Sequence, residues 1–228
     1  MKKVIVVGGG ISGLCSAYYL VKDGWEVTVL DQTKIDSGTS YINAGYITPS
    51  HFVPLAAPGI ITQGLKWMFN SSSPFYMKPR WDMDFFKWAL LFKKSATASN
   101  VERALPVLKE LNLKSRTLYE ELLASHDFDF HYERKGVLMA YCSEKSEKEE
   151  HEVAERAIKE GLEVSILSQE DLRKVQPVLS DQVKGAVHYK CDAHMTPNHF
   201  MEELKGWLQE QGVGFKLGQK VEDFSIKG

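Results

Sequence analysis

Gly8, Gly10 and Gly13 stand at the spacing G-x-G-x-x-G, and Asp31 follows Gly13 by 18 residues. Those residue types at those distances can hold a dinucleotide. The first glycine permits a tight turn, the second lets a pyrophosphate approach the main chain, and the third lets a helix pack closely on a strand. The opening residues of that helix, Ile11 and Ser12, offer free N–H groups and a positive dipole end to phosphates. An acid about 20 residues further on accepts the hydroxyls of a ribose.

The surrounding elements must place these groups. The apolar run Val4-Ile5-Val6-Val7 reads as a strand covered on both faces, ending at the glycines. Ala17 and Leu20 recur at helical spacing and Gly24 is a stop signal. Val27-Thr28-Val29-Leu30 then forms a second strand that delivers Asp31 at its end. A bare glycine triplet is weak evidence, whereas strand, turn, helix, strand and acid in register specify a dinucleotide site.

Gln32 follows Asp31 where an NADP site often carries Arg, which argues against a 2′-phosphate. An NAD domain would continue at once into further β-α-β units. Here residues 36–45 form a polar, small-residue stretch with Thr39, Ser40, Asn43, Ala44 and Gly45, and a long insertion follows. That detour suits FAD, whose flavin end reaches into a second domain. An NAD-dependent oxidoreductase is the alternative.

With these residues in place, the chain resembles the FAD-dependent amine and amino-acid oxidoreductases, which include D-amino-acid oxidase, glycine oxidase and sarcosine oxidase. The run Gly38-Thr39-Ser40-Tyr41-Ile42-Asn43-Ala44-Gly45-Tyr46-Ile47-Thr48-Pro49 narrows the likeness to bacterial D-amino-acid dehydrogenases of the small-subunit type. Ala56-Ala57-Pro58-Gly59, Leu65-Lys66-Trp67-Met68 and the run from Trp81 to Trp88 agree with it. Asp31 replaces a more usual Glu, and Tyr46 a more usual Gln.

The resemblance implies an α/β fold: an FAD-binding Rossmann-like domain with an inserted α+β substrate domain. Residues 1–80 would open the FAD domain, 81–190 form the first part of the substrate domain, and 191–228 return to the FAD domain. It implies that Thr39 and Ser40 lie on the phosphate or flavin side, that Ala44 and Gly45 approach the flavin ring, and that the main chain of Val221 meets the adenine. It also implies hydride transfer from a D-amino acid to flavin, with electrons passed to a quinone or another acceptor. The resembled enzymes continue past the position of Gly228, and their substrate-carboxylate residues lie there. The 228 residues are therefore expected to be an N-terminal part of a longer enzyme, with a short paralogue or non-catalytic module needing a partner half as the alternative. No catalytic acid or base is assignable.

Composition sets bounds on partners. With 43% apolar and 25% charged residues and a net charge of −2, the chain can bury a large core and offers no electrostatic case for nucleic acid. Cys15, Cys142 and Cys191 are odd in number and far apart, the pattern of reduced thiols in a cytoplasmic setting. The first strand starts at about the fourth residue, so no signal peptide is expected. Trp and Phe mixed with Lys66, Lys78, Arg80, Lys87, Lys93 and Lys94 read first as an amphipathic helix packed on the substrate domain. The second reading is peripheral contact with the cytoplasmic membrane.

Along the rest of the chain, residues 49–58 and Ser71-Ser72-Ser73-Pro74 are loop signals. Residues 82–92 and 100–123 carry helical spacing, with Pro106 expected to kink or split the second. Residues 128–141 read as two short strands, and 144–159 as a charged helix with Glu144–Lys148 and Glu152–Arg156 pairs. Residues 163–167 and 183–189 read as strands, with a capped helix start at Ser168. Thr196 and Pro197 open a helix that stops at Gly212, followed by strands at 213–217 and 220–224. Tyr132 and Arg134 are weighed as ligand-facing against a solvated edge. His188, Cys191, His194 and His199 have spacings that suit zinc, but a strand and a helix separate them, so no metal is expected.

Overall fold

The computed structural model describes residues 2–58, 81–126 and 128–225. The Leu65–Met68 and Ser71–Pro74 readings lie outside the described residues. The chain forms two compact units: Met1–Ile47 with Tyr119–Gly136 and Asp192–Gly228, and Thr48–Leu118 with Val137–Cys191. The first break thus falls at Thr48 rather than near residue 80, and a middle segment rejoins the first unit.

In the first unit, β1 (Lys3–Val7), α1 (Ile11–Lys22) and β2 (Glu26–Asp31) form the expected β-α-β. β2 lies between β1 and β8 (Gly214–Leu217), all parallel, with Val7 opposite Leu30 and Asp31 opposite Leu217. A two-residue β3 (Tyr46–Ile47) pairs antiparallel with β7 (Ala193–His194), and Glu133 bridges to His194 from the other side. The core gathers Leu14, Ala17 and Tyr18 of α1, Val27 and Val29 of β2, and Phe200, Met201, Leu204 and Leu208 of α6 (Pro197–Glu210). Those four α6 side chains, fully buried, contribute roughly 6–12 kcal/mol of apolar burial. β1 is not covered on both faces as its apolar run suggested: Val4 and Val6 pack on this core, while Ile5 and Val7 are 62% and 63% exposed.

The second unit is an antiparallel sheet ordered β4 (Val137–Tyr141), β6 (Gly185–Tyr189), β5 (Val164–Ser168). The central strand is buried along most of its length, as Ala186, Val187 and Tyr189 show. α4 (Glu144–Lys159) lays Ala154 and Ala157 into the core beside Tyr141 and Val187, and α5 (Gln169–Val175) buries Leu172. Ser143 starts α4 with a capping box completed by Ser146, and Ser168 caps α5 by accepting from the Asp171 N–H at 3.2 Å.

Five local expectations fail. α3 (Ala98–Ser125), which follows α2 (Met83–Ser95), is not split at Pro106, because Val101 and Leu105 before it are anchored in the second core and Leu108 after it packs against that core. Arg156 turns off its own helix to pair with Glu102 rather than Glu152. Residues 128–136 contribute only the Glu133 bridge instead of a strand, and residues 220–224 are irregular. Thr196 starts α6 without a side-chain cap, since its hydroxyl lies 3.1 Å from His131 Nδ1. The stop at Gly24 holds: it takes the left-handed conformation while Trp25 N–H returns to Leu20 O.

Candidate cofactor site

Only Gly8, Gly9 and Gly10 connect β1 to α1. Gly8 has φ +98° and donates its N–H to Leu30 O at 2.8 Å, tying the turn to the end of β2. A Cβ on Gly13 would lie 1.8 Å from Gly8 O, so the first and third motif glycines are two sides of one contact. This is the helix–strand approach that the spacing anticipates.

Gly10 is exposed and precedes α1 in an extended conformation. A Cβ there would meet only Ser40 Oγ, at 3.2 Å, so the fold itself does not require glycine at this position. Ser40 takes the capping role that Gly10 lacks a side chain for: its hydroxyl accepts from Ile11 N–H at 3.0 Å. The other first-turn amides of α1 have no intrahelical acceptor. Open amides at a helix start are the donors that an anion would require.

Asp31 turns into this loop. Its Oδ2 accepts from Gly9 N–H at 2.6 Å, and its Oδ1 accepts from the Thr33 N–H and hydroxyl at 2.6 and 2.7 Å. Partial burial works against the charged form, but the bonds from Gly9 and Thr33 outweigh it and hold the carboxyl below its usual range. A carboxylate offers about four acceptor positions, so capacity for a further donor remains. Its negative charge also disfavours a neighbouring phosphate on the ribose.

The polar stretch forms a second tier. Asn43 donates to Thr39 O at 3.0 Å and accepts from Gly45 N–H at 2.8 Å, so it braces the loop. Gly45 sits at φ +68°, and a Cβ there would fall 2.0 Å from Met195 O. Its carbonyl in turn accepts from Met195 N–H. Ala44, Thr39, Gln32 and Ser12 are exposed, and Ser12 O accepts from the Ser16 hydroxyl. Tyr46 is 64% exposed and lies opposite His194 in the β3–β7 register.

Val221 lies on the irregular segment after β8, partly exposed. The start of that segment is fixed to β2's end, with Gln219 N–H donating to Asp31 O and Gly218 N–H to Thr33 O. The structure therefore gathers Gly8, Gly10, Ile11, Gly13, Asp31 and Ser40 around one turn. Thr39, Asn43, Ala44 and Gly45 follow on the adjoining loop.

Two participants were not legible in the motif. Gly9 occupies a variable position, yet a Cβ there would fall 2.1 Å from Ile35 Cδ1. Ile35 is buried at φ +53°, an uncommon conformation for a β-branched residue. It is held by Tyr41 OH and Lys205 Nζ, which donate to its carbonyl at 2.6 and 3.2 Å. Thr33 is the other, and its place two residues after the acid at a strand end is the signal of an Asx-type turn.

Other chemistry-bearing groups serve the fold. Burial pushes the Cys15 thiol up to about 11, so it is a protonated packing residue rather than a nucleophile. Tyr132 donates to Glu120, and Arg134 lies 3.8 Å from the same carboxylate, both within the first unit. His188 and Cys191 belong to the second unit, His194 and His199 to the first, and among the described residues no group of three or more ligands suits a metal. A separate groove of about 390 Å³ between the post-β2 loop and α6 carries Asp36, Glu202 and Lys205 on its walls.

Residues 3–228 match the DAO family, described as FAD dependent oxidoreductase. The chain belongs to that family. The nicotinamide alternative falls with it, because the family's cofactor is FAD. A D-amino acid dehydrogenase of Helicobacter pylori is 31% identical over 226 residues, covering 99% of this chain and 54% of its own length. A D-amino acid dehydrogenase of Neisseria meningitidis is 30% identical over 234 residues, with 55% of its length covered. The chain thus spans about half the length of the curated relatives it matches. Among solved structures, glycine oxidase from Bacillus cereus shares the fold with a TM-score of 0.68 at 20% identity, over all of this chain and 50% of that one. Among the described residues of this DAO family member, no helix is long and apolar enough to cross a membrane.

Proposed function

We propose that the protein is a flavin-dependent dehydrogenase that oxidises a D-amino acid, or a similar amine, to the imine, which water converts to a 2-oxo acid and ammonia. The likeness to D-amino acid dehydrogenases along 99% of the chain is the observation that carries the substrate class. The fit of the turn to FAD supports the cofactor assignment. When bound, FAD supplies a two-electron acceptor for the hydride from the substrate Cα.

In this reading the chain's own residues orient and hold. The α1 amides behind Gly10 receive the diphosphate, led by Ser12 because the Ile11 N–H beside it is bonded to Ser40 Oγ, with Gly8 and Gly13 keeping the turn tight. Asp31 accepts a ribose hydroxyl with the acceptor capacity that Gly9 and Thr33 leave, and Gln32 beside it leaves the ribose free of a phosphate partner. Thr39 and Ser40 lie toward the phosphates or flavin, Asn43 holds Ala44 and Gly45 in position beside the ring, and Val221 meets the adenine through its main chain. The electrons pass to a quinone or another acceptor, and the working location is the cytoplasmic side of the cell, at or near the membrane.

Anaerobic addition of D-amino acids to the FAD-loaded protein tests this directly. D-alanine or D-proline is expected to bleach the visible flavin spectrum while the L-forms leave it unchanged. Bleaching by L-forms alone, or by neither, would exclude the D-amino acid assignment without touching the cofactor site.

A further inference from the structure

Behind the glycine turn, Asp31, Thr33, Ile35 and Gly9 form a closed ring of contacts. Gly9 N–H donates to one oxygen of Asp31, and the Thr33 hydroxyl donates to the other at 2.7 Å. That hydroxyl accepts from Ile35 N–H at 3.1 Å. The Ile35 side chain then returns to Gly9 and fills the space that a side chain on residue 9 would need. Gly9 and Ile35 are both buried. One member of the ring is strained: at φ +53°, Ile35 crowds its branched Cβ against the main chain. Such a conformation persists only where the surroundings over-determine it.

The restraint comes from α6. Lys205 Nζ donates to the carbonyls of Lys34 and Ile35 at 3.0 and 3.2 Å, across 171 and 170 residues of sequence. Tyr41 OH donates to Ile35 O at 2.6 Å and completes the two acceptor positions of that carbonyl. Asp36 and Glu202 line the groove beside the ammonium and favour its charge. Phe200, Met201, Leu204 and Leu208 seat α6 in the core, so the lysine extends from a fixed base. Hydrogen bonds from a charged donor are about twice as strong as neutral ones, which makes Lys205, with two of them, the larger restraint.

We propose that Lys205 is a positioning residue for the cofactor. By holding residue 35 in its left-handed conformation, it keeps Ile35 seated against Gly9, the Gly9 amide on Asp31, and the turn in the shape that receives the diphosphate. This rests on the reading of that turn as the FAD site. Among the described residues Lys205 bonds neither Gly9 nor Asp31, so its effect on them passes through residue 35.

The test is amide hydrogen exchange in the cofactor-free protein, read beside FAD affinity. Lys205→Met should speed exchange at Gly9 about tenfold more than at Val29 in the adjoining strand, and should weaken FAD binding about tenfold, as the loss of charge-assisted bonds implies. In an Ile35→Gly background, residue 35 adopts a positive φ freely and has no side chain against Gly9, so Lys205→Met should change neither. Acceleration no greater at Gly9 than at Val29 would overturn the proposal. An equal loss of FAD affinity in both backgrounds would also overturn it, because the lysine would then be a general brace of the loop. If Gly10→Ala weakens FAD binding and Lys205→Met does not, this inference fails and the cofactor reading stands. If Gly10→Ala leaves FAD binding intact, the cofactor reading fails and this inference with it.

Discussion

The two three-stranded sheets use their side chains in opposite ways. In the parallel sheet, the strand ends converge on a turn whose working groups are nearly all main chain: glycine amides, a helix start and carbonyls, with Asp31 and Ser40 as the polar side chains among them. In the antiparallel sheet, polar side chains brace the fold instead. Tyr141 OH meets His151 Nε2 at 3.1 Å, Lys109 bonds both the carbonyl and the carboxylate of Glu160, and Arg116 Nη1 donates to Cys191 O. A site built from backbone is sensitive to added atoms, whereas a scaffold built from packed side chains is sensitive to removed ones.

Adding atoms to the first region should have the largest effect. Gly13→Val places its Cβ against the Gly8 carbonyl, a main-chain group that cannot turn aside. Overpacking costs about 1–3 kcal/mol even where the neighbours are yielding side chains. The first unit is expected not to fold, and the protein to carry no flavin. A Gly13→Val protein with the parent's melting temperature and flavin content would break the comparison.

Removing atoms from the second region comes next. Leu105→Ala empties a site that is 1% exposed and should cost about 2–5 kcal/mol in denaturant unfolding. Flavin affinity of the protein that remains folded should be unchanged. A proportionate loss of flavin affinity would show that the two regions are not separable in this way.

The smallest effect concerns pH. Partial burial, followed by the nearby Lys22 charge, lowers the pKa of His126 from its ordinary 6.5, and its Nε2 lies 2.7 Å from Tyr18 OH. The unfolded chain therefore binds the proton more readily than the folded one, so stability should fall as pH drops below about 6.5. His126→Gln should flatten that part of the pH–stability curve. An unchanged slope would assign the pH dependence elsewhere.

The sequence reveals what is encoded by short-range spacing. The β-α-β, its glycines and Asp31 are local features with a fixed register, and all fall where the spacing places them. What escaped depends on contacts between distant residues. Gly9 matters because Ile35 arrives 26 positions later, and Ser40 caps α1 from 29 positions away. Pro106 is carried inside a helix by the burial of Val101 and Leu105, an energy its own propensity cannot report. Arg156 finds Glu102 across 54 residues in place of the nearby acid on its own helix. The aromatic pattern of α2 specifies a helix but not what covers it, and α6 shows the contrast: a helix of 14 residues with five of them buried.

Flavin binding by the Gly10→Ala protein tests the central claim most directly, because that position faces solvent and a Cβ there meets only the Ser40 hydroxyl. If the turn at the start of α1 receives the FAD diphosphate, Gly10→Ala should melt within about a degree of the parent without cofactor, a surface change being near-neutral for stability. Its FAD affinity should nonetheless fall at least about tenfold, equivalent to 1.4 kcal/mol. Undiminished FAD affinity in a normally folded Gly10→Ala protein would contradict the account.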